Sequence, residues 1–494
     1  MLPISESIGL SARYGGLAGV LLLALGLRIA VIFLLPSLEH PDENFQFLEQ
    51  AHRLAFGYGI MPWEFRDGIR SLLLPTLFSY VFWATEKLFG GPQAYIFVAR
   101  FLLVCLSLLP VAAIYNMAQK RSRNHALIAG IVAACWFELV YFSSRSLTDA
   151  IAAHFLLTAI ALASRFGAEY SFRRMLAIGF CLGCCAMIRV HLSPAVCIVG
   201  WWVLREHFSS RWRPLLVGVA FPVVAFGIAD WITWGMPFHS QWGAVMVNIL
   251  EGKASHYGER QYWWYWNLLS LKWVGIWPVL LALIASGWQR YKVWILVAVA
   301  ILGSHTLIPH KEYRFVAPAF ECLAIVAAIA SADLLEWIRP LLDPALRARA
   351  VWVLALVWFA TSVSLAAAPS YRDNWTRGRE LIQLFTGLSS DARLCGLLLY
   401  DFSWISTGGY AYLHRNVPIY QMGFGGESDS PRDRWSYNFA LVRRYSITHF
   451  QPRYVQQLCI GNGGSDDFCV VARQGPCADM TGSRPLLNLS GLGE

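Results

Sequence analysis

Residues 15–52 read GGLAGVLLLALGLRIAVIFLLPSLEHPDENFQFLEQAH. The first part, 15–35, is apolar apart from Arg28 and long enough to cross a bilayer, for which about 20 residues suffice. It ends without a small-x-small cleavage pattern and therefore reads as a retained anchor rather than a signal peptide. Immediately beyond it stand two adjacent acids, Asp42 and Glu43. The chain has little charge elsewhere: 56% of its 494 residues are hydrophobic and 14% are charged, against about 25% charged in soluble proteins. Similar apolar runs recur along most of the sequence, so the expected class is an all-α polytopic membrane protein. Arg28 either snorkels to an interface or faces the protein interior, and both readings are open.

Eleven apolar windows are expected to span: 15–35, 94–118, 125–143, 150–166, 174–189, 191–205, 214–234, 268–288, 292–309, 315–338 and 349–369. Every second connection is basic, carrying Lys120, Arg121 and Arg123, then Arg165, Arg173 and Arg174, then Arg205, Arg211 and Arg213, then Arg290 and Lys292, then Arg339, Arg347 and Arg349. This register predicts an inside N-terminus and an outside C-terminus. It also explains the net charge of +9 without nucleic acid. Residues 72–90 are apolar as well, but a span there would invert the pattern. With Pro75, Glu86 and Lys87, they are expected to form an interfacial or re-entrant helix in a long external loop, 36–93. The expected domains are a membrane catalytic domain, 1–370, and an external α/β domain, 371–494. In the latter, "SYRDNWTRGRELIQLF" reads as a helix, while "RLCGLLLYDF" and "FCVVARQ" read as strands. Cys395, Cys459, Cys469 and Cys477 permit two disulfides of unassigned pairing.

On this topology, the unusual polar residues gather at outer helix ends. Pro41 suits the first turn of a helix, with Asp42 and Glu43 at its N-terminus. Helix-end chemistry explains that pair, and so does a general base. Arg145 and Asp149 would share a face if their helix continues, as an ion pair or as ligands. Arg189 and His191 mark a further outer boundary. A long loop holds His256 and Tyr257 among aromatic residues. His310, Lys311, Glu312 and Arg314 crowd one short external turn, which favours an anionic ligand. Converging cations and one base candidate fit an enzyme that uses a polyprenyl-phosphate sugar: the phosphate is a good leaving group, so one carboxylate on the acceptor hydroxyl suffices.

The motifs "HPDENFQFLEQAH", "GYGIMPWEF", "IRSLLLP", "SSRSLTD", "AMIRVHLSP", "DWITWGMPF", "VNILEGKASHYGERQYWWYW" and "HKEYRFVAP", in that order, resemble glycosyltransferase family 22. These are the lipid-linked mannosyltransferases of GPI-anchor and N-glycan assembly, within the GT-C superfamily. The resemblance covers nearly the whole membrane region and stops near residue 370. It implies inverting transfer of mannose from a polyprenyl-phosphate donor to a lipid-linked glycan, with no cofactor and no divalent metal. Asp42 matches the base, with Glu43 beside it. Arg145, Asp149, Arg189, His256, Tyr257, His310, Lys311, Glu312 and Arg314 fall near the donor phosphate or the acceptor, and His40, Gln46, Trp63, Glu64 and Arg70 support the first loop. One departure stands out. After Arg145 the family commonly has Ser-Asn and then a Glu, where this chain has Thr148, Asp149 and Ala152.

The expected partners are membrane lipids, the polyprenyl-phosphate sugar and the lipid-linked glycan, bound by a monomer. Arg-rich usage points to a bacterial plasma membrane with a periplasmic site, while a eukaryotic source would place the chain in the ER membrane. The alternatives are a GT-C transferase for another sugar, a protein or lipid A, and a flippase or transporter for a lipid-linked saccharide, which would carry polar residues at mid-membrane. The sequons at Asn374 and Asn488 matter only in an ER lumen.

Overall fold

The structure is a computed structural model that describes residues 4–164, 171–423 and 435–478, with no side-chain detail before Gly15. Arg165 and Asn488 lie outside the described residues. In chain order, α1 (Ile4–Leu34) is followed by α2 (Pro41–Glu43), a π-helical turn (Asn44–Leu48), α3 (Glu49–Phe56), α4 (Trp63–Arg66) and α5 (Leu73–Phe89). Next come α6 (Pro92–Gln119), α7 (Arg123–Cys135), α8 (Phe137–Tyr141), α9 (Thr148–Ala163), α10 (Phe172–Ile188), α11 (Ser193–Leu204) and α12 (Phe208–Trp234). The helical region continues through α13 (His239–Val245), α14 (Trp264–Lys272), α15 (Trp277–Gly287), α16 (Lys292–Thr306), α17 (Tyr313–Ile338), α18 (Pro344–Ala367) and α19 (Pro369–Arg372). The remainder holds α20 (Arg379–Leu388), β1 (Leu397–Tyr400), α21 (Gly409–Leu413), β2 (Ile419–Met422), β3 (Phe439–Arg443), β4 (Val455–Ile460) and β5 (Phe468–Ala472).

The chain forms two compact units. One comprises residues 1–34 and 100–375, the other 35–99 and 376–494. This grouping differs from the expected division at 370 in that the first loop goes with the C-terminal residues. Its physical cause is a set of long-range hydrogen bonds. The Glu49 carboxylate accepts from Ala411 N (2.8 Å), Leu38 N donates to Arg377 O (2.9 Å), and the Tyr95 hydroxyl donates to Ala411 O (2.5 Å).

Among the described residues, five helices are long and apolar enough to span, or up to seven if each bent pair is one span. Helix α17 is the centre: 94% of its apolar window is buried, whereas α1 and α18 present most of theirs outward. Two expected spans are broken helices. Window 125–143 bends by 50° between α7 and α8, and window 268–288 bends by 107° between α14 and α15, where Gly275 has φ +76°. A run of apolar residues does not report such a break, because one left-handed residue ends a helix without lowering hydropathy. Arg28 turns inward. It is 1% exposed, and its guanidinium donates to Ala133 O (3.1 Å) and Ala134 O (2.8 Å), among the carbonyls left open where α7 stops.

In the other unit, the strand order is β2-β1-β3-β5-β4, with β1 parallel to β2 and β3, and with β5 antiparallel to β3 and β4. Disulfides join Cys395 to Cys477 and Cys459 to Cys469. The expected helix over "SYRDNWTRGRELIQLF" is interrupted at Gly378 (φ +70°) and resumes as α20. Helix α5, at 17 residues, turns an apolar face outward: Pro75, Ser79, Phe82 and Thr85 are buried, while Leu77, Tyr80, Trp83, Leu88 and Phe89 are exposed.

Candidate active site

The first group of side chains lies on the segment after α1. Pro41 opens α2, as its fixed φ favours, and His40 is the N-cap. His40 Nδ1 lies 3.2 Å from both the backbone N and Oδ1 of Asp42, so a bare ring accepts from the amide and a protonated ring donates to the carboxylate. The Asp42 side chain keeps 18% exposure. Glu43 is fully buried and accepts from Glu39 N (3.0 Å), which makes it a local staple. Gln46 bridges the next two residues, donating to Glu64 Oε1 (2.9 Å) and accepting from Arg70 Nε (3.2 Å). Trp63 starts α4, which carries Glu64. Burial first, and the charge of Asp42 second, raise the Glu64 carboxyl above its ordinary value.

The second group belongs to the helical unit. Asp149, in the first turn of α9, is 2% exposed and accepts from Arg189 Nη2 (2.7 Å), with His191 Nε2 at 3.4 Å and Arg314 Nη1 at 4.0 Å. Arg314 also pairs with Glu312 through Nε (2.6 Å) and Nη2 (3.2 Å). His310 bridges Glu312 Oε1 and Gly258 O, each at 2.9 Å. The Glu312 bond, which is the main cause, raises the His310 imidazole above its usual value. The expected Arg145–Asp149 helix face does not form, because the preceding helical turn ends at Ser144 and α9 begins at Thr148. Arg145 instead lies 4.2 Å over the Tyr141 ring. Lys311 donates to Thr306 O (3.0 Å) and Ile308 O, closing the end of α16. His256 stays exposed on its own short turn, bonded to Lys253 O (3.2 Å), while the ring of Tyr257 lies 6.4 Å from that of His310. Among the described residues, no group of three or more His, Cys, Asp or Glu side chains is arranged to hold a metal ion.

Sequence reading missed several members. His305 packs its ring 4.9 Å from His191. Glu138 accepts from Trp136 Nε1 (2.8 Å) and from the Tyr313 hydroxyl, and it is fully buried together with Glu321. A lone acid inside an apolar window was the available signal for each, and it overturns the impression that unusual charges gather only at helix ends.

In overall fold, the chain resembles ArnT from Cupriavidus metallidurans, solved bound to undecaprenyl phosphate, with a TM-score of 0.62 at 13% identity, covering 95% of this chain and 100% of that one. That likeness is one of fold, apolar helices long enough to span a membrane together with a sheet-bearing unit. The model of the Alg9-like mannosyltransferase family matches residues 20–391, and the chain belongs to that family. It is accordingly a glycosyltransferase. Similar proteins include GPI mannosyltransferase 3 of Yarrowia lipolytica, 27% identical over 421 residues (81% of this chain, 76% of that protein). GPI alpha-1,2-mannosyltransferase 3 of Bos taurus is 24% identical over 435 residues (85% and 76%).

Proposed function

We propose that the chain transfers mannose from a polyprenyl-phosphate carrier to a lipid-linked glycan, with inversion and with Asp42 as general base. The observation that carries this reading is the contrast among neighbouring acids. Glu43 and Glu49 are fully buried and occupied by backbone amides, whereas Asp42 retains an 18% exposed carboxylate on an N-terminal helical turn. In the reaction, Asp42 takes the acceptor hydroxyl proton as the oxygen attacks the anomeric carbon, and the carbon–phosphate oxygen bond breaks. The departing phosphate calls for cations, and by their charge Arg189, Arg314 and His310 of the helical unit are the candidates for that role. These guanidiniums are held by Asp149 and Glu312, which fixes their orientation at the cost of part of their charge. No step requires a divalent metal or other cofactor. Undecaprenyl phosphate bound to the similarly folded ArnT supports a lipid-phosphate donor.

The same reading places the N-terminus inside and the C-terminal sheet outside, with α5 along the interface and the eleven apolar windows embedded. A transport reading draws on the buried Arg28, Glu138 and Glu321, but Arg28 and Glu138 are already engaged, with the carbonyls at the α7 break and with the Trp136 and Tyr313 donors. The test uses purified protein with polyprenyl-phosphate mannose and lipid-linked acceptors. Asp42→Asn should lower kcat by roughly 10²–10⁴ while the protein still binds donor. Transfer at the wild-type rate by that variant would remove Asp42 as the base, and lipid-sugar translocation in liposomes without transfer would favour the transporter.

A further inference from the structure

The C-terminal residues form a mixed five-stranded sheet with three parallel strands. The parallel strands β2-β1-β3 place β1 between two strands that the chain reaches in succession, so β1 and β3 are neighbours although β2 lies between them in sequence. In open α/β sheets, ligands settle beyond the carboxyl ends of the strands at such a switch point. Here that point is chemically distinct. Asp401 directly follows β1, is exposed, and holds φ +66°, one of three non-glycine residues with positive φ among those described. Its Oδ2 accepts from the hydroxyl of Tyr445 (2.6 Å), which stands just beyond β3 and is 51% exposed. At the end of the same strand, the Tyr400 hydroxyl lies 3.3 Å from His449 Nδ1, with the Tyr400 ring packed on the core of the sheet. The carboxylate of a residue with a left-handed backbone is therefore held at the carboxyl edge by an exposed tyrosine, a pattern found at ligand sites.

The loop leaving this edge is built onto the segment that carries Asp42. Trp404 packs edge-on against Phe45 (4.6 Å between centroids), Asn44 Nδ2 reaches Thr407 O (3.5 Å), and Trp404 N is held by Gln421 Oε1 (2.9 Å). Gly409 (φ +58°) closes the contact, since a Cβ there would stand 2.6 Å from Glu49 Oε2. A pyranose offers adjacent hydroxyl donors to a carboxylate and an apolar C–H face to an aromatic ring. Both complements are present at this edge, in the exposed Asp401 carboxylate and the half-exposed ring of Tyr445.

We propose that the carboxyl edge of β1 and β3, centred on Asp401 and Tyr445, binds the non-reacting sugars of the glycan acceptor. The proposal rests on the acceptor being a glycan, as argued above, and it gives the C-terminal sheet the task of acceptor selection. Two measurements on the full-length protein in detergent test it. The first is equilibrium binding of unlipidated mannotriose, followed by saturation-transfer NMR, for wild type, Asp401→Asn, Tyr445→Ala and the control Gln457→Ala on the exposed face of β4. Wild type and the control should bind, and the two edge variants should bind at least tenfold more weakly. The second is steady-state transfer, in which the edge variants should raise the acceptor KM about tenfold and leave kcat and the donor KM unchanged. Asparagine tolerates positive φ, so Asp401→Asn keeps the turn. Wild-type mannotriose binding by both edge variants, no binding by wild type, or a fall in kcat without a change in acceptor KM would overturn the assignment. A wild-type protein that binds mannotriose at this edge yet transfers no mannose would sink the proposed reaction while leaving the binding site standing.

Discussion

Asp42 owes its candidacy to its neighbours. Pro41 fixes the turn and His40 caps it, and the other nearby acids are taken up by the protein itself. The Pro-Asp-Glu order was legible because proline at a helix start is a local rule. The fate of Glu49 and His52 was not, since their partners lie some 360 positions away. Burial chiefly raises Glu49 from 4.5 to about 7 and lowers His52 from 6.5 to about 3. The signs differ. A carboxyl with a raised folded value costs stability as pH climbs from 4.5 through about 7, by about 3 kcal/mol in full. An imidazole with a lowered folded value is neutral above 6.5 and costs stability as pH falls from there towards 3. His414, 3.1 Å from His52 and also lowered mainly by burial, adds to the acid side, and Glu64 adds to the alkaline side. The melting temperature of the full-length protein should therefore fall on both sides of mildly acidic pH. Glu49→Ala should reduce the alkaline slope alone, and His52→Gln the acid slope alone. Equal slopes in wild type and variants would show that these two groups do not carry the dependence.

At the scale of elements, hydropathy located helices well and joined them poorly. A helix occurs at every expected window, yet the breaks at Trp136 and Gly275 depend on the backbone of single residues, which a window average cannot report. The inward turn of Arg28 follows from the first of these breaks, because open carbonyls at 133 and 134 are what it binds. Helix packing was also hidden in small residues. Gly179 and Gly218 bring α10 and α12 into backbone contact: a Cβ on Gly179 would lie 2.1 Å from Leu215 O, and one on Gly218 would lie 2.2 Å from Leu176 O. Without a hydrophobic drive between helices in lipid, such close approach supplies the association. Gly179→Ala and Gly218→Ala should each cost roughly 1–3 kcal/mol, the usual range for overpacking, read as a lower melting temperature in detergent. Gly200→Ala on α11, where nothing lies within 4 Å, should leave it unchanged. Equal tolerance at all three sites would mean that α10 and α12 do not touch as described.

For the molecule as a whole, charge pattern and cysteine placement make independent statements about sidedness. The basic connections alternate along the helical unit, and several are anchored there: Arg121 Nε and Arg290 Nη1 each lie 3.2 Å from an oxygen of Asp333, which also accepts from Tyr291 (2.8 Å). Loops that remain on the synthetic side of a membrane carry such excess Lys and Arg. Both disulfides lie in the C-terminal residues, whereas the seven other cysteines are free, and disulfides persist in oxidising compartments. The charge pattern is the reason to propose that the basic connections lie inside, the disulfides are the reason to propose that the sheet lies outside, and neither uses the other's residues. The grouping of 35–99 with the sheet was invisible to both, since no local pattern encodes a bond from Glu49 to Ala411. If the sidedness is right, an epitope inserted at the open turn of Gly463 should be detected on intact, right-side-out vesicles. One inserted after Arg121 should be detected only after permeabilisation. The Gly463 site suits the purpose because it is exposed and a Cβ added there would meet nothing within 4 Å, although its N–H donates to Asp467 Oδ2 (3.1 Å). Detection of the Arg121 epitope on sealed vesicles would invert the topology. It would then place Asp42 on the inner face, where a lipid-linked donor would have to be met from the opposite leaflet.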